Sequence, residues 1–297
     1  MKKKTKNKND FSFYLTNFFI LFLVNQKNVS QNTIKSYRDT FKILLRYYTE
    51  NNSNVKEITL DVFSKELIIN FLDYLENEKH NSIATRNQRL ASIHAFCKFV
   101  QSEEPAYMNN LQQILNIPFK KKTQKIVDYL TPEAIKILLK QPDISTRNGL
   151  RDLVVMSLLY DTGARVQELI DLKVNDIRLE KPCTVMLHGK GNKIRQVPIM
   201  DNTKKILKEY IKKYQKDSSQ YLFESDTNRK FTRNGIFYII NKYTKKAIKE
   251  SPAIPKKIFP HMLRHTKAMH LLQSGVNLIY IRDFLGHVDI RNYRNLC

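Results

Sequence analysis

Residues 160–199 read YDTGARVQELIDLKVNDIRLEKPCTVMLHGKGNKIRQVPI, and a helix end, a turn and a hairpin follow one another within them. Just upstream, LRDLVVMSLLY (150–160) is a long apolar run of the kind that forms a buried helix. Asp161 to Arg165 interrupts it, and Gly163 supplies the freedom a sharp turn needs. VQELIDL then resumes the helical pattern, so Arg165 opens the next helix. Thr184–His188 and Ile194–Ile199 are short strand-like runs joined by Gly189-Lys190-Gly191-Asn192-Lys193, a hairpin turn with Lys190 at its open tip. A hairpin set among helices predicts a mainly α chain with a small antiparallel β-sheet: an α+β domain here, and an all-α domain before it.

Downstream, helical patterns over about 201–216 and 232–250 lead to the tail FPHMLRHTKAMHLLQSGVNLIYIRDFLGHVDIRNYRNLC (259–297). It carries His261, Arg264, His265 and His287, and Tyr293 as its last tyrosine. Each alone has an ordinary explanation. Arg165 pairs readily with Glu168 one turn on, and Lys190 is an exposed hairpin lysine. His261 and His265 have metal-ligand spacing, but the interior glutamate of the H-E-x-x-H motif is absent. Together they have a shared chemistry. Two arginines clamp the non-bridging oxygens of a phosphate, and a lysine protonates a leaving alkoxide. Histidines donate or accept near neutral pH, and a tyrosine hydroxyl attacks phosphorus. The chain has neither a carboxylate cluster for Mg²⁺ nor a GxxxxGK[ST] loop for ATP. The pattern calls for no metal and no cofactor: phosphoryl transfer that stores the phosphodiester energy in a protein–DNA bond.

Upstream, residues 1–115 read as a helical domain. A first helix spans about 10–24, and Ser30 opens a second. Ser64 or Lys65 starts a third, and Ser82 caps a fourth. Basic residues lie off the apolar faces: Lys35, Arg38, Lys42 and Arg46 on the second helix, and Arg86, Arg89 and Lys98 on the fourth. Residues 116–125, with Pro118 and Lys120, Lys121, Lys122 and Lys125, form a basic linker. Residues 126–297 are the second domain, in which Thr131 caps a helix with Pro132 at its first position. The basic start and the apolar run FSFYLTNFFILFLV (11–24) resemble a signal peptide. The run is too short to span a bilayer, and no A-x-A-like cleavage site follows it.

Charge points the same way. The 297 residues carry 51 Lys+Arg against 28 Asp+Glu, a net +23, and a polyanion relieves that self-repulsion; nucleic acid is the first choice. Cys97, Cys183 and Cys297 are far apart and form no metal pattern, as expected of a reduced, cytoplasmic protein with no membrane contact.

The ordered motifs TGARVQEL, HGKGNKIRQVPI, HMLRHTKAMHLLQSGV and IRDFLGH resemble the tyrosine recombinase (phage integrase) family. NTIKSYRDTFK and SIATRNQRLASIHAFCKFV resemble that family's core-binding domain. The resemblance implies a clamp around duplex DNA, a 3′-phosphotyrosine intermediate and a homo-tetramer on DNA, for integration or another site-specific recombination. By the same resemblance Arg165, Lys190, His261, Arg264 and His287 are catalytic, and Glu168 and His265 are supporting. Lys35, Arg38, Lys42, Arg86, Arg89, Lys120, Lys121 and Lys122 are expected to bind DNA. The chain departs from the family at the nucleophile: the family's tyrosine position is Leu296, and Tyr293 stands three residues earlier, close to one helical turn. Two expectations follow. Either Tyr293 substitutes, or the last residues are the product of a one-base frameshift, since one base removed from a suitable coding sequence restores an Ile-Tyr ending. The second leaves a catalytically inactive remnant that only binds DNA.

Overall fold

The computed structural model describes residues 10–51, 58–121, 128–189, 191, 193–224 and 229–286. Lys122, Lys190, His287 and Tyr293 lie outside them, as does Leu296. The chain divides into two compact units, Met1–Lys125 and Ile126–Cys297.

Among its described residues the first unit is built of helices. Helix α1 (Asp10–Asn17) runs into a π-helical stretch over Phe18–Gln26. It is followed by α2 (Gln31–Asn51), α3 (Lys65–Asn77), α4 (Ile83–Glu103) and α5 (Met108–Leu115). The caps are those the sequence announces: the Ser64 and Ser82 side chains accept from Leu67 N and Thr85 N. An aromatic centre holds the helices together, in which Phe96 meets Phe11, Phe18, Phe41 and Phe63 with ring centroids 5.2–5.6 Å apart. The run over 11–24 is only half buried. Phe11, Phe18 and Leu23 face this centre while Phe13, Ile20, Leu21 and Val24 are exposed. Among the described residues, no helix is long and apolar enough to cross a membrane.

The second unit contains α6 (Pro132–Lys140), α7 (Arg147–Thr162) and α8 (Val166–Asp171). Strands β1 (Ile177–Arg178), β2 (Thr184–His188) and β3 (Ile194–Pro198) form one antiparallel sheet in that order. Helices α9 (Asp201–Lys213), α10 (Arg233–Glu250), α11 (Pro260–Gln273) and α12 (Leu278–Leu285) complete it. Helix α7 is the hub, because eleven of its sixteen residues are buried. No single polar face could be solvated at that burial, so it must be surrounded. Leu130 N donates to Thr266 Oγ1 at 3.1 Å and His270 Nε2 bonds to Leu130 O at 2.9 Å, which fixes the start of this unit onto α11. The register of the hairpin pairs Val185 with Val197 and Leu187 with Arg195.

Candidate active site and DNA-binding face

The turn after α7 is made by its sequence. Gly163 takes a left-handed conformation (φ 56°) that ends the helix, and Thr162 Oγ1 accepts from Ala164 N at 3.2 Å. Arg165 is then the extended cap of α8, and its backbone N donates to Glu168 Oε2 at 2.7 Å, half of a capping box. The Arg165 side chain donates from Nη1 to Glu168 Oε1 at 2.8 Å and from Nη2 to Gly286 O at 3.2 Å. It remains 40 % exposed, and these two bonds use two of its five N–H donors.

Arg264 projects from α11 into the interior and is 1 % exposed. It donates to Gly163 O, at the end of α7, and to Leu285 O, at the end of α12. A cation is favourable at each, because both are negative helix ends. Arg264 thus lies beneath the ends of α7 and α12, with two of its five N–H donors used by these carbonyls. His261 stands exposed in the first turn of α11. Partial burial of its ring, then the charges of Arg264 and Arg165, lower its pKa below the ordinary histidine value. The structure thus brings Arg165, His261 and Arg264 together from two helices more than ninety positions apart in the chain.

One member of the site is absent from the sequence reading. Arg195 on β3 donates from Nη1 and Nη2 to the two oxygens of Glu168 (3.0 and 2.7 Å) and from Nε to Phe284 O (3.0 Å). Arg165, Arg195 and Arg264 therefore each bond one carbonyl of the α12 end: Gly286, Phe284 and Leu285 respectively. Gly286 closes α12 with φ 63°, and a Cβ there would lie 3.2 Å from Arg195 Cδ. The arginines secure the backbone immediately before position 287. Strand alternation held the clue to Arg195. Ile194 is 57 % exposed, while Arg195 shares the inward face with Val197. An apolar residue outward and an arginine inward is an inverted pattern.

Glu168 is buried and its carboxyl is held down at about 2. Burial alone would raise it, but bonds from Arg195 and Arg165 outweigh that. Among the described residues no group of three or more His, Cys, Asp or Glu is arranged to hold a metal.

The basic residues of the first unit behave unequally. Lys35, Arg38 and Lys42 are exposed along α2. Helices α2 and α4 run side by side, with Gln88 Nε2 donating to Ser36 Oγ at 2.8 Å and Arg89 Nη1 to Thr40 Oγ1 at 3.3 Å. A polar cleft of about 260 Å³ lies between them, lined by Asn32, Lys35, Ser36, Asp39, Thr85, Gln88 and Arg89. Arg86 is a correction to the expected DNA-binding set. It is buried, pairs with Glu76 at 3.2 Å and donates to Pro118 O at 3.2 Å. Lys120 joins the same Glu76 at 2.9 Å, and its backbone is bonded in both directions by the Asn87 amide. Both are engaged in fastening residues 118–120 to the helices, while Lys121 is exposed.

The chain matches two family descriptions, the phage integrase family over residues 128–295 and the phage integrase N-terminal SAM-like domain over residues 17–104. It is similar to the tyrosine recombinase XerD of Oceanobacillus iheyensis, 33% identical over 93% of this chain and 91% of the relative. The XerD of Staphylococcus epidermidis is 32% identical over 92% and 89%. Among solved structures, the Tn1549 transposon integrase in complex with transposon right-end DNA has a TM-score of 0.72 at 19% identity, covering 96% of this chain and 93% of that one. The XerH site-specific recombinase bound to its difH substrate has 0.70 at 22%, covering 90% and 77%. At these identities the two structures show a shared fold. With the family descriptions and the XerD relatives together, the chain belongs to the phage integrase family of tyrosine recombinases.

Proposed function

We propose that this protein is a site-specific DNA recombinase that cuts and rejoins duplex DNA through a covalent 3′-phosphotyrosine, assembled as four protomers on its sites. The observation that carries it is the convergence of half-buried Arg165, His261 and buried Arg264 on one site. Arg165 binds a non-bridging oxygen of the scissile phosphate and Arg264 adds positive potential from beneath. A tyrosine oxygen bonds to phosphorus as the bond to the 5′ oxygen breaks. His261, whose pKa is lowered, accepts the tyrosine proton, and Lys190 donates a proton to the departing 5′ oxygen. Attack by a 5′ hydroxyl of a partner strand on the phosphotyrosine reverses the step and reseals the backbone. The arginines supply the charge, and His261 and Lys190 move the protons, so the scheme needs no metal ion or nucleotide.

Tyr293, which follows His287 in the sequence, takes the nucleophile's role in this scheme. Lys35, Arg38, Lys42 and Lys121 contact phosphates, in keeping with their exposure, and the DNA-bound state of the solved relatives supports a duplex partner. The same chemistry serves integration of a mobile element and other site-specific recombination alike. The test is a nicked suicide duplex carrying the recombination site. The expected result is a covalent protein–DNA adduct that survives denaturation and disappears in Tyr293→Phe. An adduct that persists in Tyr293→Phe excludes Tyr293. Salt-sensitive binding with no adduct would establish a DNA-binding protein without cleavage.

A further inference from the structure

Glu168 creates an electrostatic difficulty for the site. Its carboxylate orients Arg165 through both the backbone N (2.7 Å) and Nη1 (2.8 Å). A buried one-to-one Arg–Glu pair is formally neutral, and a neutral pair is a poor anion receptor. The structure answers this with a second cation. Arg195 takes the same carboxylate in a two-pronged contact, with Nη1 at 3.0 Å and Nη2 at 2.7 Å, and anchors its Nε on Phe284 O. Its side chain is 11 % exposed and that of Glu168 4 %, whereas Arg165 is 40 % exposed. The three groups therefore carry one net positive charge, and Arg165 is the member open to solvent.

The arrangement has little room to change. A Cβ at Gly286 would lie 3.2 Å from Arg195 Nη1, and one at Gly189 would lie 3.4 Å from Glu168 Oε1. Two backbone segments without side chains close over the Glu168–Arg195 contact.

We propose that Arg195 is a positioning residue for phosphate capture: by neutralising Glu168 it lets that carboxylate orient Arg165 without cancelling the Arg165 charge. The proposal rests on the phosphate site described under Proposed function and adds to it a residue that touches no substrate. The depressed pKa of Glu168 agrees, since Arg195 is the largest of the influences that lower it against the opposing effect of burial. A strut role for Arg195 would need the same hydrogen bonds but would be indifferent to the charge on Glu168. That difference is what an experiment can read.

The test uses the full chain and orthovanadate, a phosphate mimic, with binding followed by ⁵¹V NMR and folding by circular dichroism. Arg165→Ala, which removes the open cation, should abolish Arg165-dependent binding. Arg195→Met should weaken vanadate about tenfold, and Arg195→Lys, which keeps the charge, by no more than about threefold. The decisive variant is Arg195→Met combined with Glu168→Gln. It has lost more hydrogen bonds than Arg195→Met, yet it should bind vanadate better, because the uncompensated acid is gone. Unchanged affinity in Arg195→Met, or a double variant no better than the single one, overturns the proposal and leaves Arg195 as a strut. If Arg195→Met does not fold, Glu168→Gln alone decides: it should tighten vanadate, and unchanged or weaker binding overturns the idea. Vanadate binding that is absent from the unmodified protein, or indifferent to Arg165→Ala, breaks the phosphate site itself and this inference with it.

Discussion

The two units both carry positive charge, but they hold it differently. On α2, Lys35, Arg38 and Lys42 stand in solvent. Such groups reach phosphates wherever a duplex lies, and salt weakens them together. In the second unit Arg195 and Arg264 are enclosed, and Arg165 is open at one side only. They are fixed by Glu168 and by the carbonyls of Phe284, Leu285 and Gly286. Exposed charge gives affinity that any phosphate satisfies, whereas enclosed charge gives a geometry that only a phosphate in one place satisfies.

The sharpest way to break this comparison is to remove the acid that organises the second unit. Glu168→Leu leaves Arg165 and Arg195 facing each other uncompensated, and a loss of about 3–5 kcal/mol in unfolding free energy is expected, measured by denaturant titration. A loss below about 1 kcal/mol, as for an exposed pair, would remove the distinction between the units. Acid probes the same residue more gently. Its folded pKa of about 2 lies below the ordinary 4.5, so its stabilisation is fully present above pH 4.5 and is lost as pH falls toward 2. The unfolding free energy should fall by about 3 kcal/mol across that window, and Glu168→Gln should flatten this part of the profile.

Backbone geometry comes next. Gly163 has φ 56°, and an added Cβ would lie 2.6 Å from Leu285 Cδ2. Gly163→Ala should cost about 1–3 kcal/mol, readable as a lowered thermal midpoint. The smallest effects belong to the first unit and test whether its cations are of one kind. Lys42→Ala should weaken binding to all duplexes alike and reduce the slope of log affinity against log salt by about one. Arg86→Ala, which unties Glu76 and Pro118 O, should lower stability and leave that slope unchanged. Equal slopes for the two variants would place Arg86 among the phosphate contacts after all.

Much of this was legible in advance. Apolar spacing and capping serines and threonines located the helices, because these signals act within one or two turns and survive in any tertiary setting. The hairpin was readable from its glycine-rich turn, but β1 was not, since two residues have no periodicity to read. Helix α5 also escaped notice, as an eight-residue element beside a 3₁₀ turn at Pro105–Tyr107. The π-helical continuation of α1 was invisible for another reason: the hydrogen-bond spacing of an apolar run leaves no mark on its letters. Arg86 was misplaced because helical periodicity shows which face is apolar and cannot show that an acid on α3 waits opposite a basic residue.

The amino-acid sequence by itself determined the family, the residue types of the proposed phosphate site and the surplus of positive charge. These depend on side-chain chemistry and local order, both written in the chain. Tertiary structure alone decided which cations remain open. Arg165, Arg195 and Arg264 are chemically the same group. Burial against helix ends and a shared carboxylate left Arg165 open at one side and enclosed Arg195 and Arg264, because the energy of a charge depends on what surrounds it.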